Sequence, residues 1–272
     1  MTDIDIILSN RHINGGDFWA TDDGKMAKGS PFSTYFSAIM LLELEMPPSD
    51  PILQKVTEMF FGIWREDGRF KLQSSGGIYP CHTAYCVSLL CRLGYAGDER
   101  IQRTFQYLLE NTYTDGGWRC NKFSFGRGAD TEFSNPLPTL NVLDAFRFSQ
   151  YLNNEPALDK AVEFLLAHWE IKRPIGPCQY GIGTLFMQVE YPMGGYNIFY
   201  YVYVLSFYSK AKEDQRFLEA LAALESKLVD GQIFVERASL KLVKSGLVFC
   251  AKGKPSVQAT KRYYEILANL GR

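Results

Sequence analysis

The chain is poor in histidine, in net charge and in long apolar runs, and each shortage removes a class of function. Only His12, His82 and His168 occur among 272 residues, which excludes a metal centre built on several histidines. The formal charge is −1, with acids and bases mixed and no block of like sign, which argues against nucleic acid or an anionic membrane as partner. No apolar run reaches the ~20 residues of a membrane-spanning helix. The densest, Ile198 to Tyr208, is broken by serine, is rich in tyrosine and reads as a buried helix. The opening Met1-Thr2-Asp3-Ile4-Asp5 is acidic and lacks the basic region of a secretory signal. A cytoplasmic, reducing setting is therefore expected. Cys81, Cys86, Cys91, Cys120, Cys178 and Cys250 are then expected as thiols or metal ligands before disulfides. No C-x-x-C, phosphate-cradling P-loop, Rossmann fingerprint or Ser-His-Asp pattern is present.

What the chain does have is a recurring mark. A helical stretch ends at an acidic-Gly turn closely followed by an aromatic or apolar residue, and another helical stretch follows. The mark reads Glu66-Asp67-Gly68-Arg69-Phe70, Asp115-Gly116-Gly117-Trp118 and Asp230-Gly231-Gln232-Ile233. The first two lie 48 residues apart and the last two 115 apart, with a degenerate copy at Trp169-Glu170-Ile171 between them. A period near 50 with two helices per unit predicts stacked helical hairpins.

The two helices of a unit differ. The stretch from Cys81 to Leu93 is apolar almost all round, which predicts burial on every side. The stretch from Asp98 to Asn111 is one-sided, with Ile101, Phe105, Leu108 and Leu109 opposite Glu99, Arg100, Arg103 and Gln106. Inner helices are predicted over Ser33–Glu45, Cys81–Leu93, Thr139–Tyr151, Asn197–Tyr208 and Ser256–Leu270. Outer helices are predicted over Asp50–Trp64, Asp98–Asn111, Pro156–Trp169 and Asp214–Val229. The expectation is one all-α domain over residues 1–272, an α/α toroid of about five inner helices ringed by outer ones. The long connections Arg119–Pro138 and Ile171–Tyr196 are expected as ordered loops over one mouth of the ring.

These units resemble the prenyltransferase and terpenoid-cyclase superfamily, and Phe105 to Trp118 is similar to the Gln-Trp repeat of squalene cyclases. Arg119-Cys120-Asn121-Lys122 resembles a string in protein prenyltransferase β subunits whose Arg and Lys bind the prenyl diphosphate. His82-Thr83-Ala84-Tyr85-Cys86 resembles the segment that carries their zinc-binding His. The resemblance implies a prenyl diphosphate or other small apolar ligand, and in the protein prenyltransferases a helical partner subunit. The chain departs from the family in lacking the Asp-x-Cys zinc pair after the Lys and the Asp-x-Asp-Asp acid of the cyclases.

Four constellations carry the chemistry. Cys81 and His82 open an inner helix, and Cys120 lies just past the next mark, so the three are placed to converge. Two thiolates and an imidazole leave one tetrahedral position open, the pattern of a catalytic zinc site. The alternative is that they are core thiols and a histidine bonded to a loop. Arg119, Lys122 and Arg127 could bind a diphosphate or form a solvated basic loop. Trp19, Tyr79, Trp118, Tyr196, Asn197 and Tyr200 are candidates to line an apolar cavity, where rings stabilise a carbocation, or else to pack the core. His82 and Asp130 are the candidate acid–base groups, with Asp130 and Glu132 otherwise solvated or paired with Arg127. Two functions stay open: an enzyme acting on an isoprenoid-like substrate, with zinc as candidate cofactor, and a non-catalytic toroid holding an apolar ligand or a partner peptide.

Overall fold

The computed structural model describes residues 1–29, 31–73, 77–120 and 128–272. Among them are twelve α-helices and no strand. They are α1 (Asp3–Ser9), α2 (Thr34–Glu43), α3 (Pro51–Gly62), α4 (Pro80–Leu90), α5 (Glu99–Glu110), α6 (Pro136–Phe146), α7 (Pro156–Ile171), α8 (Ile198–Leu205), α9 (Ser209–Lys212), α10 (Gln215–Glu225), α11 (Leu240–Lys244) and α12 (Val257–Asn269). The protein is all-α.

Local chemistry sets the helix starts. Ser33, Asp50, Asp98, Asn197, Asp214 and Ser256 each accept a backbone N–H into the first turn of α2, α3, α5, α8, α10 and α12. Proline takes the first helical position of α3, α4, α6 and α7. Three short helices, α1, α9 and α11, were not expected, since segments this brief carry too few periods to read. The degenerate mark at Trp169–Ile171 is no turn. It is the last turn of α7, which ends at a left-handed Lys172.

Helices α2, α4, α6, α8 and α12 are linked in succession by side-chain contacts. Tyr35 of α2 meets Tyr85 of α4 with ring centroids 5.3 Å apart. Ser88 of α4 donates to Asp144 of α6 at 2.7 Å. Tyr200 of α8 donates to Asn141 of α6 at 3.1 Å. Tyr203 of α8 and Ser206, its C-cap, bond Glu265 and Asn269 of α12 at 2.9 and 3.0 Å. Arg262 of α12 then donates to Glu43 of α2 at 2.9 Å. The core is one continuous apolar cluster from Ile7 to Ile266.

The marks have a common geometry. Gly68 and Gly116 adopt left-handed φ of 84° and 87°, and a Cβ on either would meet the next outer helix, at 2.9 Å from the Arg103 carbonyl and 2.6 Å from Lys160. Two residues after each marking glycine, a backbone N–H donates to a threonine of the following inner helix. Phe70 donates to Thr83 at 3.3 Å, Trp118 to Thr139 at 3.0 Å and Ile233 to Thr260 at 3.0 Å. All three threonines stand four residues past the N-cap.

Candidate functional site

The bolting of the second mark to α6 delivers Cys120. The Asp115 carboxylate accepts from Ser134 N at 2.7 Å and Ser134 Oγ at 2.6 Å. Asn135 N donates to the Trp118 carbonyl at 3.0 Å, and Cys120 N donates to Asn135 Oδ1 at 2.7 Å. Cys120 therefore lies at the start of α6, beside the start of α4. Its sulfur is 3.3 Å from that of Cys81, 39 residues away in sequence. Cys178, from the long connection after α7, reaches the Cys120 carbonyl with its thiol at 3.7 Å.

Cys81, Cys120, Cys178 and His82 all line one cavity of about 170 Å3, together with Tyr85, Tyr180, Leu137, Pro138 and Asn141. The expected convergence of Cys81, His82 and Cys120 on one pocket is thus present, and Cys178 joins them. Among the described residues, no set of three or more His, Cys, Asp or Glu side chains converges at metal-ligating distance. Burial holds the Tyr85 and Tyr180 hydroxyls well above the ordinary tyrosine range, so both stay protonated as donors at neutral pH. Burial likewise pushes the thiols of Cys91 and Cys250 up to about 12 and raises Cys86, which makes these three inert packing groups.

The other candidates are dispersed. Tyr79 precedes α4 and sets its ring edge-on to His82, centroids 5.2 Å apart. Trp19 and Trp118 are core residues whose indoles donate to the Ile7 and Leu108 carbonyls at 2.9 Å each. Arg119 holds the loop ahead of α6, donating to Tyr113 Oη at 2.7 Å and the Thr131 carbonyl at 2.8 Å, with Glu132 at 3.4 Å. Asn197 is the N-cap of α8, accepting from Tyr200 N at 3.1 Å. Tyr196 lies buried and donates to His168 Nδ1 at 2.8 Å. Tyr200 is buried at the centre of the inner helices, bonded to Asn141. Asp130 is half exposed and pairs with Arg173 at 3.0 Å. Lys122 and Arg127 lie outside the described residues.

At the opposite ends of the inner helices the centre is filled by charge. Arg92 bridges Glu43 and Asp144 at 3.1 Å each, and Arg147 holds Asp144 at 2.8 Å. Arg262 closes on Glu43 and Glu265 at 2.9 Å each, and Tyr191 donates to Glu43. Sequence reading gave no sign of this network, because its members are scattered singly through apolar helices. No helix among the described residues is long and apolar enough to cross a membrane. Neither the known protein-family models nor the curated proteins contain a match to this chain.

Proposed function

We propose that the chain is an α/α toroid of the prenyltransferase and terpenoid-cyclase kind whose working site is the thiol pocket at the starts of α4 and α6. The succession of contacts from α2 through α4, α6, α8 and α12 and back to Glu43 supports the ring. One observation carries the site: the Cys81 and Cys120 sulfurs, 3.3 Å apart, share a cavity with Cys178 and His82.

The donor set suits zinc. Thiolates and imidazole select soft divalent ions over calcium or magnesium. Two sulfurs on a tetrahedral zinc stand about 3.7 Å apart at Zn–S distances near 2.3 Å, close to the observed pair. Cys81 and Cys120 would hold the ion, and Cys178 and His82 are the groups beside it that can complete or leave open its coordination. When bound, such an ion lowers the pKa of a thiol or water beside it. The protein's own residues do the rest. Asn135 fixes the Cys120 backbone, Leu137 and Pro138 form an apolar wall, and the protonated Tyr85 and Tyr180 can donate to an anionic substrate group.

The reaction we infer is metal-assisted transfer on the head of a small substrate. A cavity of about 170 Å3 is smaller than the ~300 Å3 at which sites for drug-sized ligands begin. It suits the reacting end of an isoprenoid-like molecule and not the whole chain. The aromatic residues expected to wall a larger cavity are engaged in packing and hydrogen bonds, which supports this smaller substrate.

Metal content of the purified protein by elemental mass spectrometry tests the reading. About one zinc per chain is expected in the wild type and in Cys250→Ser, whose thiol lies elsewhere in the core, with loss in Cys81→Ser and Cys120→Ser. Wild-type protein free of metal after growth and purification in zinc would sink the proposal.

A further inference from the structure

The near-zero charge of the whole chain conceals one lopsided segment. From residue 237 to 254 there are five cations (Arg237, Lys241, Lys244, Lys252 and Lys254) and no acid. The same segment carries apolar side chains in water. Leu240 is 78% exposed, Val243 52% and Val248 70%. No residue of α11 is buried. On that helix Leu240 and Val243 stand three apart and share a face, and Lys241 and Lys244 share the adjoining one. Beside it Phe36, in the first turn of α2, is 43% exposed, and Leu242 joins it in lining a shallow apolar cavity of about 190 Å3.

The acids around the patch are already engaged. Asp3 accepts the Val248 and Phe249 amides at 2.8 and 2.9 Å, and Asp5 caps α1 through Thr2. Glu190 faces Arg237 at 3.7 Å. Lysines beside protruding aliphatic residues are complementary to an interface that is anionic outside and apolar beneath. We propose that α11 and the loop through Lys254 dock this protein reversibly on an anionic lipid surface, with Leu240, Val243 and Val248 entering the headgroup layer. Phe36 begins α2 as Cys81 begins α4, so the docked face lies at the same ends of the inner helices as the thiol pocket. The inference does not depend on a metal in that pocket.

Sedimentation with phosphatidylcholine vesicles containing about 30% phosphatidylserine tests it at low salt, where attraction of lysine to the leaflet is strongest. Wild-type protein is expected to pellet with these vesicles and not with pure phosphatidylcholine. Lys241→Gln/Lys244→Gln is expected to weaken partitioning about 25-fold, at roughly five-fold per neutralised lysine. Leu240→Ser/Val243→Ser is expected to abolish it, and both pairs are exposed enough to leave the fold intact. Failure of the wild type to pellet, or equal pelleting of the lysine variant, overturns the proposal. So does light scattering that shows a dimer lost in Leu240→Ser/Val243→Ser without vesicle binding, which would assign the patch to a second copy. Binding of an acidic protein in place of vesicles would overturn it in favour of a protein partner.

Discussion

His168 shows how one side chain's surroundings fix its proton. It is fully buried at the end of α7 and stacked on Tyr196, ring centroids 5.7 Å apart. Its Nε2 faces the Arg173 carbonyl at 3.1 Å, which can only accept, so Nε2 carries the hydrogen and Nδ1 accepts from Tyr196. Burial lowers its pKa to about 4, against a smaller upward pull from that carbonyl. Between pH 6.5 and about 4 the unfolded chain therefore holds the extra proton, and stability falls as pH falls. The loss should approach about 3 kcal/mol across that window. Urea midpoints measured from neutral pH downward are expected to drop in the wild type and to lose much of that slope in His168→Gln. A slope unchanged in the variant would assign the acid sensitivity to other groups.

At the scale of the element, the mark is a joint as well as a turn. The left-handed glycine lets the chain abut the next outer helix, and the residue two further on donates to a threonine in the next inner helix. Thr83→Val, Thr139→Val and Thr260→Val keep shape but orphan a buried N–H, so each should cost about 1–3 kcal/mol. Ser37 occupies the same position of α2, has no mark before it, and its buried hydroxyl has no partner. Ser37→Ala is therefore expected to cost much less, and thermal unfolding of the four variants compares them directly. The alternation of all-round apolar and one-sided helices was legible because burial on every side leaves no polar stripe. The caps at Ser33 and Asp50 were legible because their hydrogen bonds are local. Cys81, His82 and Cys120 could be grouped because they flank corresponding helix starts. Cys178 could not, since its place depends on how a long connection folds back. The threonine position was open to reading, as a Thr four residues past the helix cap that follows each mark. Periodicity alone assigns those residues to the buried face and stops there.

At the scale of the molecule, the buried charge network ties helices that are far apart in sequence, with Glu43 and Arg262 separated by 219 residues. Burial would raise the Asp144 carboxyl, but Arg92 and Arg147 outweigh it and hold the pKa at about 2. Its contribution is present in full above the ordinary carboxylate range and is lost as pH falls through about 2. Removing it strands Arg147 in the core and leaves Arg92 with Glu43 alone, so Asp144→Ala should cost about 3–5 kcal/mol. Chemical denaturation of that variant beside Arg65→Ala, a surface residue, gives the measurement, and equal stability of the two would contradict a structural role for the network. The network also has a consequence in time. Arg262 is made 219 residues after Glu43, so throughout that interval a carboxylate shaped for burial lacks one of its two arginine counter-ions. A nascent chain arrested before α12 should remain open to protease along its whole length, and close as one body only once that helix emerges.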